Sequence, residues 1–333
     1  MSQPLGTARL LDVAQAAGVS LRTASRVLND DPRVAPETRQ RVRTIMADLR
    51  FRPDEMARSL RAGTDTAVGF VVESISDPFF AEVIDAVELK MSRHGRSVLV
   101  TSTRRDPHRE QDVIERMMQR RVSGLLLCPT GDDHSWLDTA RVPVVLVDRP
   151  APGLSADLVE IDDHQAAFAA TVHLIRHGHR RIAYVGDTPA IPTSAARLQG
   201  YRDARAQHGL EADESLVDCS AATSQAAARA VSALVNSGRP PTAILSATTR
   251  ASLGVVPVLH STGRTDIALV SFGDFPMADA LRPAVTVVNH PAHEIGRAAA
   301  ARLLDRLAQP TLPVERIRVP ATIIERGSGE LRP

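Results

Sequence analysis

The chain has 333 residues, of which 43% are hydrophobic, so it is long enough for two or three domains and can bury a sizeable core. Its two cysteines, Cys128 and Cys219, are isolated in the sequence, which argues against a disulfide framework or a cysteine-based zinc site and indicates a reducing compartment. The N-terminus lacks the pattern of a signal peptide, and no stretch approaches the ~18 apolar residues of a membrane span, so we expect a cytoplasmic protein with no membrane partner.

The net charge of +1 hides an asymmetry along the chain. Residues 1–63 carry eleven arginines against seven acidic residues, whereas the rest of the chain carries 29 basic residues against 32 acidic ones. A basic head on a mildly acidic body indicates a polyanionic partner for the head.

Three short helical patterns and no strand pattern occupy the head. The first covers residues 11–17, the second runs from a turn at Gly18 and an N-cap at Ser20 to about residue 28, and the third starts near Pro36. Two helices joined by a tight turn, with small residues where they cross, are typical of a helix-turn-helix.

Arg22 and Arg26 are four residues apart on the second predicted helix, so their side chains project side by side. Taken alone, the pair favours an ordinary solvated face, because exposed arginines are common. A helix of this width also fits the major groove of DNA, where arginine can donate two hydrogen bonds to guanine.

From about residue 66, short apolar runs alternate with longer helical stretches, which is typical of a parallel sheet covered by helices on both faces. The predicted strands are residues 67–72, 97–102, 124–128, 143–147, 181–186, 242–246 and 266–272. Segments at 146–162 and 287–294 interrupt this rhythm. We therefore predict two parallel-sheet lobes joined by several crossovers, with a ligand site in the cleft between them.

A set of motifs runs through the whole chain. The head contains DVA, AGVS, TxSRVLN, RV and TRxRV, and the body contains SDPFF, RRVSGLLL, PVVLVDR, HLIRHGHRRIAYVG and RLQGYRDA. With these motifs the chain closely resembles the LacI/GalR family of bacterial transcription regulators. Ala24 and Ala35 depart from the family pattern without weakening the resemblance.

The resemblance implies a fold with three parts. Residues 1–51 would form an all-α helix-turn-helix head, residues 52–63 a hinge helix, and residues 64–333 a two-lobed α/β effector domain with parallel sheets, like a periplasmic binding protein. Lobe 1 would comprise about residues 64–160 and 290–320, and lobe 2 about residues 161–289 and 321–333.

The same resemblance implies a regulator, most often a repressor, that binds a palindromic operator in double-stranded DNA with an affinity set by a small-molecule effector. The effector would be a sugar, a sugar derivative or another small metabolite. A homodimer is the simpler expectation because no heptad tail follows the last residues, although a tetramer stays possible.

In this family the second helix reads bases, so the resemblance assigns base contacts to Leu21, Arg22 and Arg26. The residues it places nearer the phosphates are Thr23, Ser25 and Asn29. In the hinge helix, Leu60 would wedge into a base step of the minor groove, with Ala57 facing the groove and Arg61 beside it.

The resemblance places the effector between the lobes. The residues it assigns to this site are Phe79, Phe80, Asp148, Arg149, Thr193, Arg197, Thr248 and Asp274. Phe79 and Phe80 would wall the pocket, although ordinary helix packing explains an apolar pair equally well. Arg197 would clamp the ligand, and Asp274 would accept hydrogen bonds from its hydroxyl groups.

One departure concerns the effector. Thr248 and Thr249 stand where many sugar-responsive members carry an Asn-Asp pair, and residues 271–274 read SFGD instead of glycine, aromatic, Asp, Asp. Groups that would bind vicinal hydroxyls are lost, while Arg149 and Arg197 remain, with Arg250 as a further candidate. Two explanations stay open: the effector is less hydroxylated or anionic, or the response to a ligand has weakened.

No motif indicates an enzyme, because the sequence contains no G-x-S-x-G, P-loop or H-E-x-x-H. His173 and His177 are four residues apart, but no third metal ligand follows nearby. We therefore expect no catalytic residue, no metal and no cofactor. The basic head and the missing signal pattern also argue against a plain periplasmic binding protein.

Overall fold

The computed structural model describes residues 8–28, 30–49, 51, 67–140 and 142–333. Contacts within the chain divide it into two compact units, with the boundary between residues 65 and 66. Each unit has an apolar core of its own.

The described residues of the first unit form three helices, which confirm the three helical patterns of the head. They are α1 (Leu10–Ala16), α2 (Leu21–Leu28) and α3 (Pro36–Asp48). Their small core consists of the buried residues Val13, Ala17, Val27, Val34 and Val42.

The turn between α1 and α2 depends on Gly18 and Ser20. Gly18 has a φ of +64°, a left-handed backbone that glycine adopts without a steric penalty. The Ser20 hydroxyl accepts a hydrogen bond from the backbone N–H of Thr23 at 3.1 Å, so Ser20 caps α2 as predicted. Arg41 of α3 donates from Nε to the carbonyl of Ala17 at 3.1 Å and thereby ties α3 to the end of α1.

In the second unit, the residues that the structure describes form two six-stranded sheets. The strands are β1 (Val68–Val72), β2 (Val98–Ser102), β3 (Leu125–Leu127), β4 (Val144–Val147), β5 (Asp157–Glu160), β6 (Ile182–Val185), β7 (Val217–Asp218), β8 (Ala243–Ser246), β9 (Ala268–Phe272), β10 (Thr286–Asn289), β11 (Arg316–Arg318) and β12 (Thr322–Ile324). The first sheet has the order β11-β5-β4-β3-β1-β2, with parallel pairing throughout. The second has the order β12-β10-β9-β8-β6-β7, in which β12 is antiparallel to β10 and the other neighbours are parallel.

Helices cover both sheets. They are α4 (Pro78–Ser92), α5 (Pro107–Gln119), α6 (Asp163–Arg176), α7 (Pro192–Gln207), α8 (Ser224–Val235), α9 (Thr249–Ser261) and α10 (Ala292–Ala308), with short 3₁₀ helices at Ser135–Thr139 and Glu214–Leu216. Asp77 and Asp106 cap α4 and α5 by accepting backbone N–H groups, and a proline follows each of them. Within the described residues, no helix combines the length and the apolar character needed to cross a membrane.

The central strands are apolar because they are covered on both faces. β1, β3, β6, β8 and β9 are buried along their whole length. The seven predicted strands are confirmed, since each predicted run contains one observed strand: β1, β2, β3, β4, β6, β8 and β9.

The chain passes between the two sheets after β5, after β10 and after β11. The prediction of two parallel-sheet lobes joined by several crossovers is therefore confirmed. Below, lobe 1 denotes the sheet that contains β1 with the helices packed on it, and lobe 2 the sheet that contains β6 with its helices.

Candidate functional site

Helix α2 buries one face and exposes another. Ala24 and Val27 are buried in the core of the head, whereas Leu21 is 49% exposed and Arg22 is exposed beside it. Leu21 and Arg22 therefore lie on a surface that another molecule can reach.

Other residues of the predicted DNA-contacting set are partly engaged within the head. Thr23 and Ser25 are half-buried, and Thr23 Oγ1 lies 2.9 Å from Ser20 Oγ. Arg26 Nε lies 3.7 Å from the Asp31 carboxylate, so this arginine has an internal partner. The remaining predicted residues lie outside the part of the chain that the structure describes: Asn29, Ala57, Leu60 and Arg61.

The cleft between the lobes is formed by the carboxyl ends of strands from both sheets, which is where parallel sheets bind ligands. Lobe 1 contributes Glu73 after β1, Arg105 after β2, and Asp148 and Arg149 after β4. Lobe 2 contributes Asp187 after β6, Thr248 after β8 and His290 after β10. These side chains leave a cavity of about 60 Å³.

Glu73 is the centre of the polar lining and is only 5% exposed. Its Oε1 lies 2.7 Å from Arg105 Nε and 3.1 Å from Arg250 Nη2, and its Oε2 lies 3.3 Å from Arg149 Nη2. Burial alone would raise the pKa of Glu73, but the three guanidinium charges, that of Arg149 foremost, outweigh burial and lower it. Glu73 is therefore an ionised carboxylate at neutral pH.

Arg197 on α7 is held by three contacts. Its Nε lies 2.6 Å from Asp163 Oδ1, and its Nη1 donates to the carbonyl of Ala247 at 2.9 Å. Its guanidinium carbon lies 3.9 Å from the centre of the Phe272 ring. Burial raises the pKa of Asp163 to about 7 against the opposing charge of Arg197.

One wall of the cleft is aromatic. The rings of Phe79 and His290 stack with centroids 4.0 Å apart. Phe80 packs edgewise against Phe79 at a centroid distance of 5.0 Å, and Phe272 packs edgewise against His290 at 5.9 Å. Burial lowers the pKa of His290 well below its usual range, and the charge of Arg197 adds to this effect. His290 is therefore a neutral, flat surface in the cleft.

The neutral state of His290 makes the stability of the chain depend on pH. In the unfolded chain this histidine titrates near 6.5, whereas its pKa in the folded chain is far lower, so its contribution to stability is lost as the pH falls below about 6.5. Between about pH 7.5 and about pH 5.5, the native protein should lose about 1 kcal/mol more of its unfolding free energy than a His290→Phe variant does. Urea unfolding of both proteins at both pH values measures this difference, and equal losses would contradict a neutral His290.

Seven of the eight residues assigned to the effector site line this cavity: Phe79, Phe80, Asp148, Arg149, Thr193, Arg197 and Thr248. Thr248 also caps α9, since its Oγ1 accepts a hydrogen bond from the backbone N–H of Ala251 at 3.0 Å. The structure places Asp274 elsewhere. Its exposed carboxylate pairs with Arg326, whose Nη1 donates to Oδ1 at 2.9 Å, and it faces a neighbouring cavity of about 240 Å³.

The cleft also contains residues that the predicted set omits: Glu73, Asp77, Arg105, Asp187, Ser194, Thr249, Arg250, Phe272 and His290. For some of them the sequence holds a usable signal. Glu73 directly follows the apolar run 67–72, and Asp187 directly follows the run 181–186. A polar residue that ends a buried parallel strand is a candidate for the ligand-binding edge.

Two family models match the chain. One, described as bacterial regulatory proteins of the lacI family, covers residues 9–54, and the other, described as periplasmic binding proteins and sugar binding domain of the LacI family, covers residues 65–326. A helix-turn-helix head joined to such a two-lobed domain defines a class of DNA-binding transcription regulators. The chain belongs to the LacI family of bacterial regulators.

Comparisons over the full chain agree with this assignment. The HTH-type transcriptional regulator GalR of Escherichia coli (strain K12) is 32% identical over 314 residues, which are 92% of this chain and 91% of GalR. A complex of the transcriptional regulator CelR with cellobiose is 29% identical, with a TM-score of 0.72 over 96% of this chain and 99% of that one. The lac repressor dimer bound to operator and the anti-inducer ONPF has a TM-score of 0.87 over 97% of this chain and 99% of that one, and at 22% identity it supports the fold alone. Because the relatives are transcription regulators, the prediction that the chain is not an enzyme is confirmed.

Proposed function

We propose that this regulator binds a palindromic operator as a homodimer in the cytoplasm and represses transcription, with an affinity that an effector in the cleft changes. Residues 1–51 are the DNA-binding domain, residues 52–63 the hinge helix, and residues 64–333 the domain that binds the effector and dimerises. The observation that carries the proposal is the convergence of strand ends from two lobes on one polar cleft, in a chain whose helix-turn-helix exposes Leu21 and Arg22.

In this proposal α2 enters the major groove. Arg22 donates two hydrogen bonds to a guanine, and Leu21 contacts an apolar group such as a thymine methyl. Arg26 reaches a base once its contact with Asp31 is exchanged for DNA. The residues proposed to lie near phosphates are Thr23, Ser25 and Asn29, and those proposed for the minor groove are Ala57, Leu60 and Arg61.

We assign the effector to the neutral, polyhydroxylated molecules, of which sugars are the main class. The buried guanidinium groups of the cleft already have carboxylate partners: Arg105 with Glu73 and Asp187, Arg149 with Asp148 and Glu73, and Arg197 with Asp163. An anion would compete with these carboxylates, whereas a hydroxyl group can donate to a carboxylate and accept from a guanidinium at once. The flat pair of Phe79 and His290 offers an apolar surface for a sugar ring.

A selection of operator sequences from random duplexes, followed by titrations at several salt concentrations, tests the DNA-binding part. We expect a palindromic consensus, two chains per duplex, and an affinity that falls steeply as salt rises, because phosphate contacts release counterions. One chain per duplex, or an asymmetric consensus, would contradict the dimeric arrangement.

A further inference from the structure

Three ion pairs, made by two arginines, cross the cleft from one lobe to the other. Arg105 of lobe 1 lies 2.6 Å (Nη2) from Asp187 of lobe 2. Arg250 of lobe 2 lies 2.6 Å (Nη2) from Asp77 and 3.1 Å from Glu73, both in lobe 1. We call these contacts the inter-lobe latch. Because its members come from both sheets, the latch holds the lobes together without any bound molecule.

The latch is mostly shielded from water, and its arginines are held by further contacts. The side chains of Asp187, Glu73 and Asp77 are 4%, 6% and 13% exposed. Arg250 also donates from Nη1 to the carbonyl of Ala222 at 3.2 Å, which fixes its guanidinium within lobe 2. Screening by salt is weak for pairs that are buried to this extent.

Arg105 reaches the cleft from an unusual backbone. Arg104 and Arg105 have φ values of +56° and +65°, a left-handed conformation that non-glycine residues seldom adopt. The backbone N–H of Arg105 donates to Thr103 Oγ1 at 3.3 Å, and Thr103 Oγ1 lies 2.7 Å from Thr130 Oγ1. The surrounding structure therefore holds Arg105 in a conformation that directs it into the cleft.

The closed cleft has little free space. A cavity of about 60 Å³ holds a few water molecules. A monosaccharide needs more room than this cavity offers, so an effector bound among these side chains must displace part of the lining. Removing Arg250 breaks two of the three ion pairs between the lobes and frees two carboxylates, those of Asp77 and Glu73.

We propose that Arg250 is an internal ligand of the effector cleft: it closes the lobes by binding Asp77 and Glu73, and the effector must displace it. The inference rests on the proposed function, because it concerns the same site. Hydroxyl groups of the effector then donate hydrogen bonds to the two carboxylates that the guanidinium group of Arg250 releases. The free protein is mostly closed, and its apparent affinity for effector equals the affinity of the open form multiplied by the fraction of molecules in which the latch is open.

The first test is small-angle X-ray scattering of the full-length protein without ligand. Arg250→Ala removes two of the three ion pairs of the latch and Asp77→Asn removes one, so each should shift the lobes towards the open form and increase the radius of gyration at unchanged molar mass, Arg250→Ala by more. Asp77→Asn keeps the shape of the side chain, so the test does not depend on one variant folding well. The control is Arg202→Ala, since Arg202 pairs with Glu214 at 2.8 Å on the surface of lobe 2 and should leave the scattering unchanged. Scattering curves of both latch variants that superimpose on that of the native protein would overturn the proposal.

The second test is calorimetry of native protein and Arg250→Ala with D-ribose, cellobiose and D-galactose. If Arg250 competes with the ligand, the variant should bind the preferred sugar at least about fivefold more tightly than the native protein does. Equal binding by the variant would mean that Arg250 does not compete with the effector, and weaker binding that it contacts the effector; either result would overturn the role of internal ligand. If no sugar binds either protein, the sugar assignment fails, while the scattering result still decides whether Arg250 closes the cleft.

Discussion

Replacing Arg22 with alanine is expected to lower operator affinity by about 1–3 kcal/mol in each half-site and to relax the preference at one base pair of each half. The side chain is exposed on α2, and a lost bidentate contact to guanine removes discrimination as well as affinity. Fluorescence anisotropy against the selected operator and its single-base variants measures both effects. The two half-sites of a dimer contribute together, so the total loss is large.

A matched control separates base reading from general charge. Arg43→Ala removes the same charge from α3 of the same unit, where Arg43 is 53% exposed and pairs with Asp30. This variant should weaken binding to all sequences by a similar factor or leave it unchanged. If Arg22→Ala and Arg43→Ala behave alike on every sequence, Arg22 does not read a base.

Replacing Arg197 with alanine is expected to abolish binding of the effector and to lower the unfolding free energy of the chain by about 1–3 kcal/mol. Arg197 and Asp163 have side chains only 8% and 7% exposed, so the substitution leaves a buried carboxyl group without its partner, and this group takes up a proton because its pKa is already about 7 with Arg197 present. It also removes the donor to the Ala247 carbonyl and the packing on Phe272. Calorimetry with the preferred sugar and urea unfolding measure the two losses.

Two further variants serve as controls for this result. Arg197→Lys keeps the charge but cannot donate in the same geometry to both Asp163 and Ala247, so we expect partial stability and weak effector binding. Arg202→Ala, five residues along α7 and exposed, should change stability by no more than about 0.5 kcal/mol. An Arg197→Ala protein as stable as Arg202→Ala would contradict the account of a buried, partnered guanidinium.

The sequence predicted the elements whose local pattern follows directly from burial. The central strands are continuous apolar runs because both faces are covered, and Ser20 and Gly18 mark the helix-turn-helix by local backbone chemistry. Strand β5 lies within the segment 146–162 and strand β10 overlaps the segment 287–294, both of which were interpreted as interruptions. β5 reads DLVE, and its first residue, Asp157, is buried between Arg302 and Arg306. No local pattern can indicate partners that lie about 145 residues away in the chain.

The same limit applies to the cleft. Asp274 was assigned to the effector site, but Arg326, which is 52 residues further along, holds its carboxylate at the rim of a neighbouring cavity. Glu73 and Asp187 could have been found by reading the residue after each buried strand. The contacts of Arg250 with Asp77 and Glu73 join residues more than 170 positions apart, and only the packing of the two lobes brings them together.

The most direct test of the central claim is the coupling between the two binding events. Operator affinity is measured by anisotropy with and without a saturating concentration of the preferred sugar, and sugar affinity is measured by calorimetry with and without operator. We expect each ligand to change the affinity for the other by the same factor, of about 5 to 150. An operator affinity that stays the same at saturating sugar, for a sugar that binds in the cleft, would contradict it.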